Sequence, residues 1–354
     1  MRILFLTKYT RLGASSRYRI YQFLPWLESQ GVEVRVSPLL GDSYLRRIYG
    51  HGTRIGFDVA VSFWRRLVDV LHARRFDLLV VEKELFPYLP PWIEEGLVGQ
   101  GHKLITDYDD AVYVNYQEKL LLRDKIDRVI RCSTAVIVGN PYLADYARVL
   151  NKNVYILPTA VDLARYQTIK EHRRSDPFVV GWIGTPKTLM YLREVQGALA
   201  RLSKRKSLVL RCVGAPPTFG LPGVAVENVE WREETETEQL LSMDVGIMPL
   251  TDDAFSRGKC GLKLIQYMAS GLPVVASPVG VNRDIVKDGV NGFLACKQEE
   301  WEERLDQLES DVAIRSRLGQ EGRRLVEQFY SLQAVAPKLL EIYNEVVGGK
   351  LVSR

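Results

Sequence analysis

The chain has 354 residues, which at roughly 150 residues per domain excludes a single small domain and implies about two. With 46% hydrophobic and 26% charged residues it falls in the ordinary globular range, so a disordered or fibrous polymer is excluded. A formal net charge of +5 suits an anionic ligand or surface but lacks the dense basic clustering of a nucleic-acid-binding domain, and no nucleic-acid partner is expected.

In chain order, the first apolar run, residues 3–6, is too short for a signal-peptide core. No later run approaches the ~20 apolar residues of a membrane span, so a cytoplasmic protein is expected. Strands are predicted at 3–6, 32–36, 78–81, 104–105, 135–138 and 154–157, several continuously apolar as in a sheet covered on both faces. Helical spacing falls between them at 17–28 (Ile20, Phe23, Leu24, Leu27), 120–130 and 142–150. This βαβ series predicts a parallel doubly wound sheet. After a charge-rich stretch at 170–177 the series restarts, with strands predicted at 178–183, 208–213, 224–229, 244–249 and 273–276. Beyond Glu300 the pattern is helical and ends in an amphipathic helix at 334–347. The expected fold class is α/β with two Rossmann-like doubly wound domains, 1–168 and 169–332, followed by a terminal segment 333–354. Cys132, Cys212, Cys260 and Cys296 form no CxxC pair, so neither a disulfide framework nor a zinc site is expected.

Ligands of such sheets bind beyond the carboxyl ends of the strands, so the candidate chemistry lies in the segments there. Gly13-Ala-Ser-Ser-Arg-Tyr-Arg19 is not GxGxxG and lacks a dinucleotide fingerprint. Ser15 or Ser16 suits a helix cap, and Arg17 and Arg19 in the first turns would oppose the helix dipole, which favours a ligand role. From 44 to 75 arginines 46, 47, 54, 65, 66, 74 and 75 face only Asp58 and Asp69 as acids and are interleaved with Tyr49, Phe57, Phe63 and Trp64. That mixture suits the surface of an anionic membrane; the plain alternative is a helix whose aromatics face its own core and whose arginines are solvated. Acidic groups follow two strands, Glu82-Lys83-Glu84 and Asp107-Tyr108-Asp109-Asp110, with Asp110 as a helix cap the bland alternative. In the second half, Gly181-Trp-Ile-Gly-Thr-Pro-Lys-Thr188 offers close approach at Gly184, hydroxyls at Thr185 and Thr188 and a cation at Lys187, a plausible pyrophosphate cradle or simply a capped helix start. Trp231 and Arg232 follow a later strand.

The segment from Arg257 to Gly280 is the most informative. A glycine-containing loop leads into a predicted helix with an apolar face of Leu262, Ile265, Met268 and Ala269. Lys259, Lys263 and Gln266 are spaced to form one polar ridge, and the amides of Cys260, Gly261 and Leu262 sit at the helix start, where a diphosphate is favoured. The alternative is a surface helix with solvated lysines.

This segment resembles the C-terminal signature of GT-B glycosyltransferases of the retaining family 4 type: a loop, a helix reading E-A-M-A-x-G, and a strand reading P-V-V-A-x-x-x-G. Asp284-Ile-Val-Lys-Asp-Gly-Val-Asn-Gly-Phe-Leu294 is similar to that family's E-I-V-x-D-G-x-N-G-x-L, and weaker matches extend the resemblance over most of residues 1–330. The family's E-x7-E pair is replaced by Gly258 and Gln266, whereas Lys259, Lys263, Tyr267, Met268 and Ala269 match a branch reading K-x-x-x-K-x-x-E-Y-M-A.

The resemblance implies the GT-B fold, two domains facing each other across a cleft, with the terminal helix packing back on the N-terminal domain. It implies a retaining transferase that moves a sugar from a nucleotide diphospho-sugar to a glycan or lipid-linked acceptor in cell-surface polysaccharide or glycolipid synthesis, without a cofactor or metal, in the cytoplasm or at the inner membrane face. Gly13, Arg17, Gly184, Thr185, Lys187, Arg232, Lys259, Cys260, Gly261, Leu262, Lys263 and Gln266 would bind the donor. Ser15, Ser16, Lys83 and Glu84 would bind the acceptor. Asp109, standing where many relatives carry histidine, and Asp110 would act at the sugar. A nucleotide-sugar epimerase of the same build, or a non-catalytic donor-binding subunit, are the alternatives.

Overall fold

The computed structural model describes residues 1–50 and 56–349. Arg54 lies outside the described residues, as do the side chains of Tyr49, Phe57 and Asp58. Six strands, β1 (Arg2–Tyr9), β2 (Glu33–Leu40), β3 (Leu78–Glu82), β4 (Leu104–Tyr108), β5 (Ala135–Val138) and β6 (Val154–Ile156), form one sheet in the order β2-β1-β3-β4-β5-β6. The second sheet holds β7 (Phe178–Ile183), β8 (Leu208–Val213), β9 (Val226–Val229), β10 (Val245–Met248), β11 (Val274–Ala276) and β12 (Phe293–Leu294) in the order β12-β11-β10-β7-β8-β9. The described pairings are all parallel. In each sheet the chain starts at an interior strand and winds outward both ways, which puts a topological switch point at the carboxyl ends of β1 and β7. β3, β4 and β5 are buried at every position because helices cover both faces, and this is why their sequences are mainly apolar, with Glu82 and Asp107 toward the carboxyl ends of β3 and β4.

The chain divides into two compact units. The first comprises Met1–Thr159, Arg257–Cys260 and the residues from Leu332 onward; the second comprises Ala160–Ser256 and Gly261–Ser331. The division falls at Thr159, ahead of the expected 168, because the residues just after it are tied into the second unit. Tyr166 is buried with its hydroxyl on Glu236 at 3.4 Å, and Arg165 pairs with Glu233 at 3.3 Å.

Four helices bear on the site and the surface: α1 (Ala14–Arg19), α2 (Gly56–Leu71), α3 (Leu262–Ala269) and α4 (Leu332–Gly348). α4 packs within the first unit, its Tyr343 edge-on to Phe5 at 6.1 Å and its Glu345 accepting from the Tyr155 hydroxyl at 2.9 Å. The helix expected at 17–28 is instead broken into α1, a 3-10 turn at Tyr21–Phe23 and a helix at Leu24–Ser29. Pro25 has no N–H to give to the preceding turn, so it can only open a helix there. Likewise the helix expected at 120–130 starts only at Lys125, after a 3-10 stretch at Val112–Tyr116.

Candidate functional site

In the first unit, charged side chains gather at the ends of β1, β3 and β4. Lys83 sits at φ +64°, and the Glu84 N–H donates to the Glu82 carbonyl at 2.7 Å. A bond spanning two residues around a positive-φ centre is a γ-turn of the strained kind. It aims the Lys83 Nζ at Asp109 Oδ1, 2.8 Å, and Asp110 Oδ2, 3.0 Å. Ser15 at the start of α1 donates to Asp109 Oδ2 at 2.5 Å. Ser15, Lys83, Asp109 and Asp110 therefore form one constellation, with Ser15, Asp109 and Asp110 partly open to solvent. Burial alone would raise the Asp109 carboxyl, but the Lys83 charge and the hydrogen bonds from Lys83 and Ser15 outweigh it and hold Asp109 below the usual carboxylate range. Glu82, where burial dominates, is pushed up. The Asp110 side chain goes to Lys83 and not to a helix cap.

Two residues expected to face the acceptor do not. Ser16 is fully buried, its hydroxyl donating to Glu82 at 2.5 Å. Glu84 is buried as the counter-ion of Lys125 at 2.6 Å and also accepts from the Tyr116 hydroxyl. The dipole argument for Arg17 and Arg19 also falls. α1 is only six residues long, and both arginines lie in its last turn, where a cation agrees with the dipole. Arg19 is a structural ion, bidentate to Asp107 at 2.8 and 2.7 Å with a third bond to the Leu157 carbonyl. Arg17 is buried over the Tyr18 ring, and Gly13 is the N-cap of α1, packed against Tyr9.

The loop Arg257–Cys260 also belongs to the first unit. Asn140 donates to the Gly258 carbonyl at 2.9 Å and the Lys259 carbonyl at 3.1 Å, and the Cys260 thiol donates to the Asp109 carbonyl at 3.1 Å. At Gly258 a Cβ would stand 2.6 Å from the Ala111 Cβ and 2.8 Å from its backbone nitrogen. Glycine here is a requirement of close approach, and a glutamate does not fit. Lys259 lies before α3, so the expected ridge of Lys259, Lys263 and Gln266 on one helix face does not form, and Gln266 is buried. Asn140 was missed by sequence reasoning. Its Asn-Pro context marks a helix cap, and it does accept from the Leu143 N–H at 2.9 Å, but the partners of its amide lie far along the chain.

In the second unit α3 opens on Gly261 at φ +70°, where a Cβ would also strike Ile285. The first amides of α3 have no carbonyl within the helix to bond, so its start attracts anions. Lys263 in that first turn holds its Nζ 5.4 Å from the Trp182 ring at the end of β7. Gly184, two residues on, lies against the same ring, its amide donating to the Val213 carbonyl at 3.0 Å. Tyr267 locks the arrangement. Its buried hydroxyl accepts from the Ile183 N–H at 2.9 Å, and its ring fills the space above Gly246. The Lys263 side chain and the turn after β7 thus converge on the Trp182 ring, with Gly261 and Leu262 preceding Lys263 at the start of α3. Thr185 precedes a 3-10 stretch, Pro186–Val195, on which Lys187 is exposed, while the Thr188 hydroxyl is committed to the Thr185 carbonyl at 2.9 Å. Trp231 donates to Glu236 at 2.8 Å, and Arg232 is exposed and paired with Glu230 at 2.8 Å.

Among the described residues no three His, Cys, Asp or Glu side chains are grouped to hold a metal ion, and no helix is long and apolar enough to cross a membrane.

Comparison with known proteins agrees with this architecture. The family described as Glycosyl transferases group 1 matches residues 177–311. A D-inositol 3-phosphate glycosyltransferase of Salinispora arenicola (strain CNS-205) is 28% identical over 279 residues, covering 72% of this chain and 57% of that protein. The chain spans 22% to 57% of the length of the curated relatives it matches. Among solved structures, sucrose-phosphate synthase from Thermosynechococcus elongatus superposes with a TM-score of 0.73 at 17% identity, covering 99% of this chain and 100% of that one. Anabaena HepE in complex with UDP-glucose gives 0.70 at 15% identity, covering 98% and 100%. The chain has the GT-B fold, and its residues 177–311 are similar to the glycosyl transferases group 1 family.

Proposed function

We propose that the chain is a retaining glycosyltransferase that moves a sugar from a nucleotide diphospho-sugar to a glycan or lipid-linked acceptor, in the synthesis of cell-surface polysaccharide or glycolipid. The observation that carries this reading is the convergence of the α3 start, Lys263 and the Gly184 turn around Trp182. Helix-start amides beside an ammonium suit a diphosphate. The solved neighbour bound to UDP-glucose makes UDP-sugars the first donors to test.

In this reading the donor bond between the anomeric carbon and the phosphate oxygen breaks while the acceptor oxygen bonds to the same face, and the acceptor proton passes to the leaving phosphate. Lys263 and the α3 amides in the second unit, with Lys187 just after the Gly184 turn, neutralise the departing diphosphate; no metal or other cofactor is needed. Asp109 in the first unit is a fixed negative charge suited to a developing oxocarbenium ion. The same reading includes contact of the 44–75 segment with an anionic membrane surface on the cytoplasmic side.

Thermal shift against UDP, GDP, dTDP and their sugars tests it. A saturating cognate nucleotide should stabilise the chain by roughly 2.7 kcal/mol at a hundred times its Kd. Lys263→Ala should lose at least about tenfold in affinity, as removal of a charged hydrogen bond of about 1.5–3 kcal/mol implies, with little change in the free protein's melting temperature. Stabilisation by none of the nucleotides removes the reading, and a stable variant of unchanged affinity removes the phosphate role of Lys263.

A further inference from the structure

We infer that Lys83 is a positioning residue for Asp109: the γ-turn at the end of β3 places its ammonium between Asp109 and Asp110, so that Asp109 stays ionised inside a buried acidic cluster. The inference rests on the reading of Asp109 as the charge that faces the sugar.

The groups around Asp109 make the case. From the β3 end come Glu82 and Lys83, from the β4 end Asp107 and Asp110, from α1 Ser15 and Arg19, and from the 257–260 loop the Cys260 thiol on the Asp109 carbonyl. Lys83 and Arg19 are the cations that lower the Asp109 carboxyl most. Arg19 is spent on Asp107, to which it is bidentate, and the ammonium in contact with Asp109 is that of Lys83, at 2.8 Å. Without it, burial and the neighbouring carboxylates would both favour the protonated acid.

The backbone points the same way. A positive φ is costly for any residue with a Cβ, and glycine would relieve it; a lysine there supplies what glycine cannot, an ammonium reaching back over the turn. Anchoring the loop is already the work of the next residue, since Glu84 is held by the fully buried Lys125, which also donates to the Phe86 carbonyl at 2.5 Å. Lys83 is thus free of that duty and is directed at the two aspartates.

The test is an NMR titration of the full chain carrying 13Cγ-labelled aspartate, with the Asp109 resonance assigned by its loss in Asp109→Asn. In the native chain its midpoint should lie below the ordinary value of about 3.9. In Lys83→Gln it should rise by roughly 1–3 pH units, and Lys83→Arg, which keeps the charge, should hold it low. Lys83→Met, nearly isosteric, serves if the glutamine variant does not fold. An unchanged midpoint in the neutral variant, or an equal rise in the arginine variant, overturns the inference. Failure of the underlying reading looks different: Asp109→Asn would retain full transfer from the donor found by thermal shift, while the midpoint still followed the charge at 83.

Discussion

Gly258 stands at the first position of the E-x7-E pattern that this segment resembles, and its surroundings give the reason that no glutamate is there. Its backbone lies against Ala111, with a Cβ there only 2.6 Å from the Ala111 Cβ and 2.8 Å from a backbone nitrogen that cannot rotate away. A glutamate placed there should therefore harm the fold. Gly258→Glu is expected to lower stability by about 1–3 kcal/mol, the usual cost of overpacking, read as a lower melting temperature; an unchanged melting temperature would mean that the loop yields freely. The departure itself was legible in the sequence, but its cause was not, because Ala111 and Gly258 meet only through the fold. The same limit hid Arg19 and Asp107, a buried pair whose members lie far apart along the chain. It also misassigned Ser16 and Glu84, since sequence marks a polar residue at a strand end and not whether its neighbours have already claimed it.

Among the elements, the strands were read best where the physics is local. The expected bounds 178–183 and 208–213 match β7 and β8 because a largely apolar run pairing on both sides has one way to be buried. β12 has two residues and carries no periodicity to detect. α3 was visible from its glycines and apolar spacing, but what fixes it to the sheet is one hydroxyl. Tyr267 accepts the last β7 amide, that of Ile183, and its own proton is held tightly by burial. Tyr267→Phe would leave that buried N–H without its partner, at a cost of about 1–3 kcal/mol. Because the same contact holds the α3 start beside the Gly184 turn, nucleotide affinity should fall along with the melting temperature. A loss of stability with no loss of affinity would detach α3's placement from the phosphate site.

For the whole molecule, the modest net charge conceals how the first unit divides its residues between core and surface. The inner side of α2 packs Leu67, Val70 and Phe63 into the core, Phe63 meeting Phe86 at 5.3 Å. Arg66 is buried too, its guanidinium donating to the Thr7 and Ser37 carbonyls and its pKa lowered by burial to about 10. The inner side thus matches the expectation of aromatics facing the core, except that Arg66 is buried and not solvated. The outer side carries Val61, Trp64, Val68 and Leu71, spaced by three and four and exposed by 49%, 68%, 37% and 74%. An apolar stripe left exposed among the described residues, next to the exposed Arg65 and followed by the exposed Arg74 and Arg75, is the pattern of an interfacial helix. Sedimentation with phosphatidylcholine vesicles, with and without phosphatidylglycerol, should pellet the chain more strongly in the anionic case. Each surface arginine contributes about 1 kcal/mol, so neutralising Arg65, Arg74 and Arg75 together should weaken binding by roughly two orders of magnitude, and more steeply at low salt. Trp64→Ser with Leu71→Ser should reduce binding to both kinds of vesicle, because it removes apolar burial and leaves the charge. Arg66→Gln would instead report on folding and is the wrong variant for this purpose. A pellet fraction that ignores both the arginines and the stripe would take α2 off the membrane.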